Sequence, residues 1–165
     1  MTKWLFSILF ICCITAGCQK TTSDLEKVRA QGVIDDKIVA DYILAHNLTG
    51  VAKKVTDTSG VYYIVVQPGQ GNDLFTSSTQ VTVGDTGKEL TTGRIFTETN
   101  DFHPSYPLSE VMLGWRLGIP KIKRGGIVRL LIPSRYAYSI YPQEQYGLKA
   151  NTILDFDIQL YDITN

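Results

Sequence analysis

From Thr152 to Ile163 the side chains alternate with a period of two. Leu154, Phe156, Ile158 and Leu160 share one face, and Asp155, Asp157 and Gln159 share the other. That period fits a β-strand and no helix. Such a strand needs hydrogen-bonded neighbours and an apolar cover for its inner face, so it demands a sheet. Ile127 to Ile132 follows the same rule, with Val128, Leu130 and Ile132 together. Gly60 to Val66 is rich in β-branched and aromatic residues and ends at the turn Pro68-Gly69-Gln70-Gly71. Thr79 to Val83 reads as a short strand, and Gly93-Arg94-Ile95-Phe96 begins another. Ser109 to Leu117 is the one good helix in this half. The expected class is α+β: an antiparallel sheet, polar on one face, wrapped around one short helix.

The chain has 165 residues, 44% hydrophobic and 19% charged, which suits one domain plus a leader. Its formal net charge of zero argues against a nucleic-acid partner. The run Lys121-Ile122-Lys123-Arg124 reads as a solvated loop. At the N-terminus, Lys3 precedes an apolar run from Trp4 to Ile14, the length of a signal segment and too short to span a bilayer comfortably. Thr15-Ala16-Gly17-Cys18 then resembles the bacterial lipobox, although leucine is usual three residues before the cysteine and this chain has Ile14-Thr15. That resemblance implies a signal peptide over 1–17 and acylation of Cys18. It further implies a membrane anchor in the bacterial cell envelope, facing the periplasm. Several acyl chains hold stably where one holds only marginally. Cys12 and Cys13 fall in the leader, so the mature chain has no disulfide, cysteine nucleophile or thiolate metal site. His46 and His103 are far apart and give little support to a histidine metal site or a triad.

Residues 18–59 read as a tether and helical arm. Gln19 to Ser23 is polar. Asp24 to Ala30 and Asp35 to Asn47 read as two helices, with Asp35 and Asp36 in the first turn of the second. There Ile38, Tyr42 and Ala45 share a face, flanked by Val39 and Ile43. The arm either packs on the domain or, over 24–47, forms a homodimer surface.

Val111-Met112-Leu113-Gly114-Trp115 sits between the loop His103-Pro104-Ser105-Tyr106-Pro107 and the turn Gly125-Gly126. A tryptophan after a glycine can serve as a flat floor, because Gly114 lets neighbours come close. Large aromatics also dominate ordinary cores. The second aromatic stretch, Ile132-Pro133-Ser134-Arg135-Tyr136-Ala137-Tyr138, reads as the opposite wall of one apolar pocket.

With those pieces in order, residues 60–165 resemble an FKBP-type peptidyl-prolyl cis-trans isomerase. The resemblance rests on order and spacing: Gly60-Val61-Tyr62-Tyr63, Pro68-Gly69-Gln70-Gly71, Val81-Thr82-Val83 with Thr86-Gly87-Lys88, and Gly93 with Phe96. It continues through Val111 to Trp115 with Gly118, Gly125-Gly126, Ile132-Pro133 with Tyr136-Ala137-Tyr138, Lys149-Ala150-Asn151-Thr152, and Leu154 to Leu160. It implies a half β-barrel around a short helix, with the pocket between them. Trp115 would lie under a substrate proline ring, and Phe96, Val111, Met112 and Phe156 would line the walls. The Met112 backbone N–H and the Tyr138 hydroxyl would donate to substrate carbonyls, and Phe102 would match another wall aromatic. Neither cofactor nor metal is implied, and the partners would be proline-containing polypeptide clients.

The chain departs from the family pattern at four places. Asp85 stands where tyrosine is usual, Thr97 where aspartate is usual, Glu89 is an extra residue, and Ser139 replaces a glycine. Asp85 could supply a carboxylate near the lost one, and a one-residue slip would put Glu98 there instead.

Rotation about Xaa-Pro meets a barrier of ~18–20 kcal/mol from amide resonance. Unaided, it takes on the order of tens to hundreds of seconds. Twisting removes the resonance and makes the bond less polar, so a dry pocket favours the twisted state over the hydrated planar amide. Two functions follow: an isomerase that assists folding of envelope proteins, or a non-catalytic lipid-anchored chaperone or peptide-binding module on the same fold. Asp85 and Thr97 are the residues that separate them. A carbohydrate-binding sheet is poorly supported, because Trp4 lies in the leader and only Trp115 is left.

Overall fold

The computed structural model describes residues 16–165, with side chains from Ser23 onward. The signal segment up to Thr15 and the side chain of Cys18 lie outside the described residues. In chain order the elements are α1 (Ala16–Ala45), β1 (Lys53–Lys54), β2 (Tyr62–Gln67), β3 (Gln80–Glu89), β4 (Ile95–Glu98) and β5 (Ser105–Pro107). They continue with α2 (Leu113–Gly118), β6 (Ile127–Ile132) and β7 (Leu154–Thr164). Short 3-10 turns cover Ile119–Lys121, Ser134–Tyr136 and Glu144–Tyr146.

The seven strands form one antiparallel sheet in the order β1-β2-β6-β7-β3-β4, with β5 also beside β3. Strand β7 is central. It pairs with β6 from Ile127↔Gln159 to Ile132↔Leu154, and with β3 from Gln80↔Thr164 to Glu89↔Leu154. Its inward residues Leu154, Phe156, Ile158 and Leu160 are buried, as their alternation requires. The same alternation in β3 turns Val81, Val83, Asp85 and Gly87 inward. Strand β3 therefore runs well past the Thr79–Val83 limits expected from sequence. Irregularities in register, at Val65/Gln67, Thr82/Val83 and Gly87/Lys88, bend the sheet around its inner face.

Helix α2 fills the concave side. It is shorter than the Ser109–Leu117 helix expected, because Met112 is extended (φ −54°, ψ 151°) and the helix begins only after it. Two glycines four residues apart seat it on β6. A Cβ at Gly114 would come within 2.5 Å of Ile132, and one at Gly118 would collide with Leu130. These notches bring the helix backbone down onto the strand and put Trp115, between them, over the core.

The other face of the sheet is not the free polar surface expected. Val39 and Ile43 of α1 pack on Leu90, Leu131 and Ile153 as a second core. Arg129 and Asp155 lie on this face as a charged pair, with Arg129 donating to both Asp155 oxygens (2.8 and 2.7 Å) and to the Tyr42 hydroxyl (2.8 Å).

The arm also differs from expectation. Gln19–Ser23 is helical, and the two expected helices are one. Glycine inside a helix costs about 1 kcal/mol relative to alanine, yet Gly32 is retained where α1 meets the domain. Its carbonyl accepts from Arg135 (3.1 Å), and a Cβ there would press on the Arg135 side chain at 3.2 Å. The buried stripe runs Gly32, Asp35, Val39 and Ile43, while Ala45 is exposed. Asp35 and Asp36 are therefore mid-helix residues, not first-turn acids. The loop 103–107 contains β5, and Ile122 within the expected solvated run is buried.

Overpacking a close helix–strand contact costs about 1–3 kcal/mol. Gly118→Ala should therefore lower the thermal midpoint by several degrees, roughly 2–4 °C per kcal/mol for a chain of this size. An unchanged midpoint in calorimetry would show that α2 can lift off β6 freely.

Candidate active site

Between α2 and the inner face of the sheet lies a cavity of about 350 Å³, within the size range of small-ligand pockets. Phe96, Val111, Met112, Trp115, Tyr138 and Phe156, the six residues expected at the site, all line it, together with Asp85, Thr97, Thr99, Tyr106, Glu110 and Tyr146. The aromatic rings form a continuous series of edge-to-face contacts. Tyr106 meets Trp115 at 6.3 Å, Trp115 meets Phe156 at 5.1 Å and 87°, Phe156 meets Phe96 at 5.5 Å, and Phe96 meets Tyr146 at 5.9 Å. This geometry suits the ring quadrupoles and fixes each ring against its neighbour.

Local irregularity in β4 directs its side chains. The register places Thr86 opposite Glu98, Gly87 opposite Thr97 and Lys88 opposite Ile95, leaving Phe96 as the extra residue. The bulge lets both Phe96 and Thr97 face the cavity. Glu98 instead lies beside Thr86 on the outer face and accepts from its hydroxyl (3.3 Å). Glu98 is thus not the cavity's carboxylate. Phe102 is exposed and does not line the cavity.

Asp85 is the carboxylate that β3 turns inward. It is 8% exposed, and its side chain makes no hydrogen bond among the described residues. Burial alone pushes its pKa from 3.8 up to about 6. Sequence reasoning raised Asp85 only as a substitute carboxylate. Extending the β3 alternation two residues beyond Val83 would have put it on the inner face. Tyr106 and Tyr146 were missed as lining residues, and both lie in short segments whose side-chain direction depends on distant partners.

Two donors reach the cavity unpaired. The Met112 N–H, outside the helix ladder because of its extended backbone, has no acceptor among the described residues, and neither does the Tyr138 hydroxyl. Burial, and then the nearby Tyr146 and Asp85, raise the Tyr138 pKa above the ordinary phenol value, so it remains a donor. Trp115 is 6% exposed and its indole N–H is likewise unpartnered. After Tyr138, Ser139 has φ +55°. That conformation favours glycine, as the family pattern has it, and costs a larger residue about 1–3 kcal/mol.

A half-barrel closed by a short helix over an aromatic cavity defines an FKBP-like domain. The profile of the family described as FKBP-type peptidyl-prolyl cis-trans isomerase matches residues 72–161. The chain belongs to that family. It is 37% identical over 122 residues to the FKBP-type peptidyl-prolyl cis-trans isomerase FkpA of Buchnera aphidicola subsp. Acyrthosiphon pisum, covering 72% of this chain and 47% of that one. To FkpA of Buchnera aphidicola subsp. Schizaphis graminum it is 30% identical over 150 residues, covering 86% and 54%. The chain thus spans about half the length of these relatives. The crystal structure of FkpA from Escherichia coli superposes with a TM-score of 0.67 at 27% identity, covering 88% of this chain and 67% of that one.

Asp85 gives the cavity a pH signature. Its folded pKa lies above the unfolded value, so the folded chain holds the proton more tightly between about pH 4 and 6. Stability therefore falls as pH rises through that window, and the cost is fully present above it. Asp85→Asn should stabilise the chain by about 1–2 kcal/mol at pH 7.5 and by little at pH 4. Thermal melts of both proteins at the two pH values measure this, and equal differences at both would show that the carboxylate is well solvated.

Proposed function

We propose that this chain is a peptidyl-prolyl cis-trans isomerase that acts on proline-containing polypeptides, anchored through Cys18 in a bacterial envelope membrane and facing the periplasm. The observation that carries the reading is the aromatic cavity with two unpaired donors, the Met112 N–H and the Tyr138 O–H, at its lining. Isomerisation breaks no covalent bond, so apolar walls and oriented donors are sufficient machinery. A proline ring resting on Trp115, between Phe96, Val111, Met112 and Phe156, leaves its peptide bond in low-polarity surroundings. The planar amide loses hydration there and the twisted amide loses less, which lowers the barrier. The donors hold the flanking carbonyls while the bond turns. Each ~1.4 kcal/mol gained in the twisted state over the planar one multiplies the rate tenfold.

The second reading, a non-catalytic peptide-binding module or chaperone, rests on Asp85 and Thr97, the departures from the family pattern that line the cavity. On α1, the exposed Val33, Ile34 and Leu44 offer a surface for a second copy within 24–47, a reading that the solution mass decides.

Two experiments test the proposal. Trp115→Leu should reduce turnover of an Xaa-Pro peptide strongly, with some loss of stability from a small cavity. Tyr138→Phe should cost roughly 0.5–1.5 kcal/mol, a factor of about two to twelve in rate. Wild-type protein that binds the peptide without turnover decides for the module, and wild-type protein that does neither reduces Trp115 to a core residue. For the anchor, Cys18→Ser should leave the protein uncleaved or soluble. Identical membrane fractionation of the two forms would remove the lipid anchor from the proposal.

A further inference from the structure

Asp35 is a carboxylate with 0% exposure in the middle of α1, outside the cavity. Burial of a carboxylate is unfavourable unless its oxygens are well hydrogen-bonded. One Asp35 oxygen accepts from both the backbone N–H (2.8 Å) and the hydroxyl (2.6 Å) of Ser134, and the other accepts from Gln31 Nε2 (2.8 Å). Ser134 is the first residue of the 3-10 turn Ser134–Tyr136, whose preceding residue, Pro133, offers no side-chain cap. The cap comes instead from another helix, 99 residues away in sequence, as a charge-assisted pair of hydrogen bonds.

What Ser134 holds makes this contact more than an anchor for the arm. Its carbonyl accepts from the N–H of Ala137 (2.9 Å) and of Ser139 (2.7 Å), the two residues on either side of Tyr138. Ser139 has the left-handed φ of +55°, and its own carbonyl accepts from Asn151 N–H (2.7 Å). The backbone that carries Tyr138 is therefore closed on Ser134 at both flanks, in a conformation that relaxes if its ties are released. Next along the chain, Arg135 donates to both Asp36 oxygens (2.8 and 2.9 Å) and lies over the Tyr136 ring at 4.9 Å. Adjacent acids of α1 thus grip adjacent residues of the turn.

We infer that Asp35 is a positioning residue for the candidate active site: through Ser134 it fixes the turn that aims the Tyr138 hydroxyl into the cavity, so that α1 tunes substrate handling from outside the pocket. This rests on the isomerase reading above, in which Tyr138 donates to substrate.

A double-mutant cycle on the full-length chain tests it, with kcat/KM for an Xaa-Pro peptide measured for Asp35→Asn, Tyr138→Phe and the pair. Asp35→Asn should lose about two- to tenfold, no more than Tyr138→Phe loses. The double variant should be no slower than Tyr138→Phe alone, since a hydroxyl already removed cannot be misaimed. Multiplying losses, or an Asp35→Asn variant with unchanged kcat/KM and a lower melting temperature, overturn the inference. Val39→Ala, on the same buried stripe but away from the turn, is the structural control. It should lower the melting temperature and keep kcat/KM within twofold, and an equal loss of turnover in that variant also overturns the inference. Ser134→Ala, which keeps the backbone N–H bond, should fall between wild type and Asp35→Asn, and serves if Asp35→Asn does not fold. If wild type binds the peptide without turning it over, the isomerase reading fails separately. The same cycle read as peptide affinity in calorimetry then decides the positioning role, with coupling to Tyr138 supporting it and independent losses overturning it.

Discussion

The pairing of β3 with β7 runs from Gln80↔Thr164 to Glu89↔Leu154 and joins parts of the chain about seventy residues apart. Most of the site depends on it. It places Asp85 opposite Ile158 and Gly87 opposite Phe156, which brings the carboxylate and one aromatic wall onto the same inner surface. It also gives β4 and β5 an edge to join, and with them Phe96, Thr97 and Tyr106. A contact of such long sequence separation costs chain entropy before it returns any burial. The apolar faces it unites, Val81 and Val83 with Ile158 and Leu160, are buried against α2 and the core beneath it. The pocket is thus a by-product of how the sheet's curvature is filled: the short helix closes most of the concave side, and the remaining space is lined by rings.

The cavity combines apolar walls with a small number of polar groups that the protein does not satisfy. Unpaired buried donors are uncommon in folded proteins, since each loses its hydration. Here the buried Trp115 indole N–H lacks a partner, and two donors on half-buried residues of the same lining, the Met112 N–H and the Tyr138 hydroxyl, have no acceptor among the described residues. The lining contains two carboxylates, Asp85 and Glu110, and no lysine or arginine. A bound segment would meet a surface that offers hydrogen bonds to its carbonyls and negative charge to its side chains.

The sequence made some of this legible and hid the rest for physical reasons. Strands β6 and β7 could be read because a single buried face leaves a period of two along the chain. The six pocket residues came from the family resemblance, since nothing local distinguishes Phe156 at a pocket wall from Phe156 in a core. The continuity of α1 was obscured by polar residues and by Gly32, whose reason for being there is Arg135, about a hundred positions on. Asp35 and Asp36 looked like first-turn acids because that is what their local setting favours. Their actual partners, Ser134 and Arg135, come into view only once the chain has folded back on itself. Beyond Val83 the strand continues through Gly84 and Gly87, which carry no apolar side chain to mark its period, so the inward direction of Asp85 is not visible from local pattern.

The replacement of a polar tether by helix changes more than an assignment. A helix rises 1.5 Å per residue, so the stretch from Cys18 to Gln31 spans about 20 Å. A flexible coil of the same length has a root-mean-square extension of about 20 Å as well. The mean reach is the same, but the coil samples every direction and many distances, whereas the helix has one axis. The helix therefore holds Cys18 at one distance and in one direction from the domain, like a post and not a line.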